Sequence, residues 1–300
     1  MRTHDGLALH VRTYGPEDAG VAVVLAHCWT ADVDDWHYQV RDLQAEFGHE
    51  VRIVTWDHRG HGRSEAAPLE ACTIRDLALD MGDVVDRYAP HGRLVLAGHS
   101  IGGMTMLALP GERPDLMARV DGALFVSTST GQLDTVTLGL PEAGQFVKAQ
   151  IPRVLSARAR LLARSRRRRA PIVERQVARR FLFGTPLRTR DTGLVVDQII
   201  NCPPATMEGF YRDCLTHDRL AAAAAYDDIP TCVLVGERDL LTPVHHARRL
   251  AGGIRGARLM IAPGAGHMLP LEREALVSGH LVQLVTGARA AARARDAVLA

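Results

Sequence analysis

Leu94-Val95-Leu96-Ala97-Gly98-His99-Ser100-Ile101-Gly102-Gly103 decides how the rest of the chain is read. Four apolar residues run into a glycine, a serine stands two positions on, and two more glycines open a segment with helical spacing. The pattern describes a strand that turns sharply into a helix, with Ser100 at the turn. Small residues two before and two after the serine let neighbouring chain pass close to a strained backbone. Gly98 and Gly102 fill those positions. The serine then sits at a helix N-terminus, where unpaired N–H groups and the helix dipole favour developing negative charge.

Outward from this turn, short apolar and β-branched runs recur, each closed by a polar or glycine-rich turn. They are Val21 to His27, Val51 to Trp56, Leu94 to Gly98, Ala123 to Val126, Thr231 to Gly236 and Arg258 to Ile261. Nearly every position is apolar rather than alternating, so each reads as a parallel strand covered on both faces. Leu7 to His10 and Val11 to Tyr14 add two antiparallel edge strands. Trp36 to Phe47, Ile74 to Tyr88 and the stretch from Ile101 have helical spacing, with Thr73 as N-cap. Alternating strands and helices make a doubly wound, mostly parallel α/β sheet, whose ligands gather at the strand carboxyl ends. The alternation fails over residues 131–225, where Pro171 to Phe183 and other segments look helical. Residues 131–225 therefore read as a helical cap inserted into a core of residues 1–130 and 226–300.

A serine hydroxyl is a weak nucleophile unless a neighbouring base takes its proton, and the base needs a third group to hold its tautomer. Both should follow strand ends, in the chain order serine, acid, histidine. Beyond Thr231 to Gly236 comes Glu237-Arg238-Asp239, and beyond Arg258 to Ile261 comes Ala262-Pro263-Gly264-Ala265-Gly266-His267. Ser100 is thus expected as nucleophile, His267 as base and Asp239 as the orienting acid, with Glu237 and Asp134 as competing acids. The tetrahedral intermediate needs two N–H donors, each contributing about 3 kcal/mol. Ile101 is assigned as one, and Trp29, in the loop His27-Cys28-Trp29-Thr30, as the other. His27, Cys28 and His99 flank these groups and are placed at the substrate-binding site, although an ordinary elbow turns the His99 ring away. His245 and His246 read as helix-surface residues too far along to reach Ser100.

With these motifs the chain resembles the α/β-hydrolase superfamily. The resemblance rests on His27-Cys28-Trp29, on Asp57-His58-Arg59-Gly60-His61-Gly62-Arg63-Ser64, on Gly98 to Gly103, on Gly236 to Asp239 and on Gly266-His267. It implies an α/β-hydrolase fold and a cofactor-free enzyme. Where the family commonly has His-Gly, this chain has His27-Cys28, so either the loop takes an ordinary backbone conformation or the second oxyanion donor is displaced. Serine at the elbow separates the chain from family members with aspartate there and leaves acyl transfer to water. A carboxylic ester hydrolase is the leading reading. A thioesterase acting on carrier or coenzyme A thioesters, a cofactor-free perhydrolase or C–C hydrolase, and a non-catalytic binding scaffold are the alternatives.

Composition limits the rest. With 300 residues and 47% hydrophobic content the chain can bury one large core, and a net charge of +2 gives no argument for a nucleic-acid partner. No apolar stretch reaches the ~18 residues of a membrane span, and the N-terminus lacks a secretory pattern, so a soluble cytoplasmic protein is expected. Cys28, Cys72, Cys202, Cys214 and Cys232 show no CxxC spacing, which argues for reduced thiols and against a metal site. From Lys148 to Arg190 arginines crowd the chain, densest at Arg166 to Arg169, against the single acid Glu174. They read first as a solvated face and second as an attractor for an anionic substrate. Phe181, Phe183, Phe210 and Tyr211 read mainly as cap core and secondarily as pocket lining. Oligomeric state has no sequence signal here.

Overall fold

The computed structural model describes residues 1–136, 150, 176 and 179–299. Among the described residues seven strands form one sheet: β1 Val11–Tyr14, β2 Val21–Ala26, β3 Arg52–Trp56, β4 Arg93–His99, β5 Val120–Val126, β6 Thr231–Gly236 and β7 Arg258–Ala262. Their order across the sheet is β1-β3-β2-β4-β5-β6-β7, with β1 antiparallel to β3 and every other pair parallel. The chain winds from β2 out to β3 and returns past β2 to β4, so the order reverses beside β2. That reversal opens a crevice at the carboxyl ends of β2 and β4, and Ser100 lies immediately beyond β4.

The helices with bounds among the described residues are α1 His37–Phe47, α2 Ile74–Tyr88, α3 Ile101–Glu112, α4 Pro114–Met117, α5 Thr189–Asn201, α6 Pro204–Thr216, α7 Val244–Gly252, α8 Leu269–Glu272 and α9 Glu274–Leu299. Helix α2 begins where Thr73 Oγ1 accepts the Asp76 N–H at 3.0 Å, a cap that contributes about 1 kcal/mol. One face of the sheet packs on α2, α3 and α7 through Met81, Val84, Met106, Leu107, Ala247 and Leu250. The other packs on α1 and α9 through Val40, Leu43, Phe47, Val277, Leu281 and Val285. Each such fully buried side chain contributes about 1.5–3 kcal/mol, so the two apolar layers hold the strand ends rigidly in place.

Two strand expectations are corrected. Leu7 to His10 forms no strand and supplies only the isolated bridge between Arg2 and Ala8, because β1 alone completes that edge. Strand β7 is not covered on both faces: as the opposite edge it leaves Met260 42% and Ile261 36% exposed. An apolar run therefore did not by itself imply burial.

Within residues 131–225, α5 and α6 are described, and Phe210 is fully buried against Ile74, Leu77 and Ile101. Phe210 is thus core. Phe181 and Phe183 are half-buried, and the Tyr211 ring stacks on Trp29 at 6.1 Å between centroids. Of the helix expected over Pro171 to Phe183, most lies outside the described residues, as do Arg166 to Arg169. Among the described residues no helix is long and apolar enough to cross a membrane.

Candidate active site

Ser100 has φ 55° and ψ −114° and joins β4 directly to α3. A non-glycine residue at positive φ is costly and persists only where packing enforces it. The enforcement is visible: the Ser100 N–H donates to Val126 O at 2.9 Å, and Thr128 Oγ1 donates to Ser100 O at 2.7 Å. A Cβ on Gly102 would lie 2.2 Å from Ala26 O, so β2 and α3 touch backbone to backbone and only glycine fits.

The loops after β6 and β7 bring Asp239 and His267 together. His267 Nδ1 lies 2.9 Å from Asp239 Oδ2, and both residues are buried. The same carboxylate accepts the N–H groups of Leu241 and Thr242, each at 2.9 Å, and the Thr242 hydroxyl at 2.8 Å. Burial pushes the Asp239 carboxyl up, but His267 and the Thr242 donors outweigh it and leave the group below its ordinary value. An ionised Asp239 fixes the proton of His267 on Nδ1 and turns Nε2 outward as a lone pair. Of the competing acids, Glu237 is occupied with the Gly264 N–H at 2.8 Å, and Asp134 lies in the short helical turn Leu133–Thr135. Among the described residues no hydrogen bond yet joins Ser100 Oγ to His267. Their loops are nevertheless adjacent, since His99 Nε2 lies 2.9 Å from His267 O.

Among the described residues neither the Ile101 nor the Trp29 amide N–H has an acceptor, whereas the Cys28 N–H is taken by Asp35 Oδ2 at 3.1 Å. Cys28 is not among the positive-φ residues; in this loop Thr30 is, at φ 66°. The loop thus accommodates cysteine with an ordinary backbone and shifts the left-handed residue two places on. Burial first, and the charge of Asp35 second, push the Cys28 thiol well above its ordinary value, which removes it as a nucleophile. All five cysteines are free thiols.

His27 and His99 do not face a substrate. Both rings are fully buried. His27 uses Nδ1 on Cys28 O at 2.7 Å and Nε2 on the His58 N–H at 2.8 Å. His99 uses Nδ1 on Asp35 Oδ2 at 2.8 Å, with Nε2 on His267 O as above. With every ring nitrogen committed inside the protein, neither can hold a ligand. His246 is likewise no surface residue: it is buried and bonds Ser129 Oγ at 2.8 Å, while His245 is exposed.

Three residues escaped the sequence reading. Asp35 and Thr242 serve as above, and Glu272 accepts the N–H groups of Gly184, Thr185 and Gly266 at 2.9 to 3.1 Å. Together with the His267 N–H on Leu182 O at 2.8 Å, Glu272 ties residues 182–185 to the His267 loop. An Asp-x-x-Thr turn after β6 was the available signal for Thr242. Asp35 and Glu272 had none, because only the fold brings the His99 ring to the one and the Gly184 and Thr185 amides to the other.

A family model for the alpha/beta hydrolase family matches residues 23–278. The chain belongs to the alpha/beta hydrolase family. It is accordingly a hydrolase. Over 287 residues this hydrolase is 28% identical to RutD of Variovorax paradoxus (strain S110), a proposed carbamate hydrolase, covering 93% of this chain and 96% of that protein. The esterase EaEST from Exiguobacterium antarcticum superposes with a TM-score of 0.76 at 19% identity, covering 95% of this chain and all of that one. The enol-lactonase from Burkholderia xenovorans LB400 gives 0.70 at 23% identity, covering 93% of this chain and 97% of that one. These two superpositions speak to the fold.

The buried histidines of this hydrolase make its stability acid-sensitive. His61 is fully buried, and burial pushes its pKa down to about 4. Between the ordinary value of about 6.5 and that value the unfolded chain binds a proton that the native chain refuses. Stability is therefore full above about pH 6.5 and falls as pH drops toward 4, by about 3 kcal/mol for this one ring. Urea unfolding of wild type and His61→Gln across that range checks it: the variant should lose close to one linked proton, and equal slopes would contradict the assignment.

Proposed function

We propose that this hydrolase cleaves a carboxylic ester through an acyl-enzyme, with Ser100 as nucleophile, His267 as general base and Asp239 as the group that orients it. The observation that carries the reading is the enforced positive φ of Ser100 at the crevice where the strand order reverses, with an Asp239-bound His267 in the adjacent loop. His267 Nε2 takes the proton from Ser100 Oγ as the oxygen bonds the carbonyl carbon. The tetrahedral oxyanion is held by the free N–H groups of Ile101 and Trp29. Collapse breaks the bond to the alcohol, which leaves with the proton from His267. Water, deprotonated by the same imidazole, then attacks the acyl-enzyme and releases the acid.

We read the described part of residues 131–225 as a cap for this crevice, anchored by Phe210 and by the bonds to Glu272. The names of the relatives point to small carbonyl compounds, and carbamates and lactones meet the same nucleophile in the same way. Free thiols throughout fit a reducing compartment, so we place the enzyme in the cytoplasm.

A fluorophosphonate probe tests the nucleophile. Wild type should be labelled, and Ser100→Ala, with its circular dichroism unchanged, should not be. Equal labelling of the variant would remove Ser100 from the mechanism, and an unlabelled wild type would favour a binding scaffold.

A further inference from the structure

The ring of His99 lies next to Ser100 in the chain and is buried with both nitrogens against acceptors. Nδ1 meets the Asp35 carboxylate at 2.8 Å and Nε2 meets the His267 carbonyl at 2.9 Å. A neutral imidazole has one N–H and one lone pair, so it would satisfy one partner and set its lone pair against the other. Only a doubly protonated ring donates to both. Between a carboxylate and an imidazole the imidazole is the stronger base, so the proton belongs to the ring.

Asp35 Oδ2 makes a second bond, accepting the Cys28 N–H at 3.1 Å. One carboxylate oxygen thus reaches the loop after β2, and its partner ring reaches the loop after β7. Asp35 Oδ1 is buried without a hydrogen bond among the described residues, so the carboxylate depends on the His99 charge for compensation.

We propose that Asp35 and His99 form a buried ion pair that holds the Cys28–Trp29 loop and the His267 loop in register behind Ser100. Both are positioning residues, and the inference rests on His267 being the base. The His99 and His267 rings are 5.2 Å apart between centroids. The imidazolium is the end of the pair that bonds the His267 residue, and the carboxylate lies on the opposite ring nitrogen. The pair therefore fixes the base loop from behind, through the His267 carbonyl.

The other titratable groups around His99 leave the pair intact. Asp239 is an anion beyond His267. Cys28 is a neutral thiol and His27 a neutral ring, burial holding each uncharged. Burial works against the charge of His99 as well, but the Asp35 carboxylate outweighs it and raises the ring above its ordinary value.

Two measurements on the full chain test the pair. In wild type carrying 15N-labelled histidine, one ring should remain doubly protonated at pH 8, its signal absent from His99→Gln and Asp35→Asn and present in Ser100→Ala. In Asp35→Asn, whose neutral amide no longer supports the charge, kcat toward a chromogenic ester should fall by about tenfold or more with KM nearly unchanged. A merely structural role would lower the folded fraction and leave kcat per folded molecule unchanged. No doubly protonated ring in wild type overturns the pair even if Asp35→Asn fails to fold, and an unchanged kcat in folded Asp35→Asn overturns its positioning of the site. Turnover that survives Ser100→Ala would instead refute the triad, while the labelled spectrum still decides the ion pair.

Discussion

His267→Ala is expected to lower kcat/KM toward a chromogenic ester by about 10^4-fold or more while the protein stays folded. The size follows from what is lost. Without the imidazole no group near Ser100 among the described residues can take its proton, since His99 and His27 have both ring nitrogens committed to protein. His246 is held by Ser129, and the Cys28 thiol is neutral. Residual activity would come from the oxyanion donors alone. The ring is 3% exposed and makes no apolar anchor between helices, so its removal should cost far less in stability than in rate. Steady-state kinetics with a thermal melt on the same sample makes the check, and turnover within tenfold of wild type would remove His267 as the base.

Asp239→Asn should cost about 10^3 to 10^4-fold in kcat with KM nearly unchanged. The carboxylate accepts four hydrogen bonds, from the Leu241 and Thr242 amides, the Thr242 hydroxyl and His267 Nδ1. An asparagine offers one acceptor oxygen. The two amides bond Oδ1 of the aspartate, so the oxygen stays there and the NH2 group turns toward Thr242 and His267. Facing a donor, His267 places its lone pair on Nδ1 and its proton on Nε2, the tautomer that cannot accept from Ser100. Asp239 lies three residues beyond the end of strand β6 and asparagine keeps its size, so folding should survive. Full activity in this variant would mean that Glu237 or another group orients the base.

Much of this site was legible because its signals are local. The strand, Gly98, Ser100 and Gly102 fall within a few residues, and the tight turn they describe is set by steric contact between neighbours. Asp239 and His267 could be placed because each follows an apolar run by a short, glycine-bearing loop. Thr73 capping α2 was readable for the same reason. The errors share a cause too. Leu7 to His10 has strand-like character but no partner strand, and β7 is apolar yet exposed, because edge or interior position is decided by which strands lie beside it. The burial of His246 depended on Ser129, over a hundred positions away.

From residue order alone came the alternating strand and helix pattern, the strained serine and the two groups expected to serve it, because all of these are written in nearest-neighbour sterics and hydrophobic period. The tertiary structure decided that His27 and His99 are buried rather than facing ligand, that Cys28 yields its amide to Asp35, and that Glu272 binds residues 182–185 to the base loop. Those outcomes depend on donors and acceptors meeting across the sheet order, and a buried polar group takes whichever partner folding brings within hydrogen-bond distance.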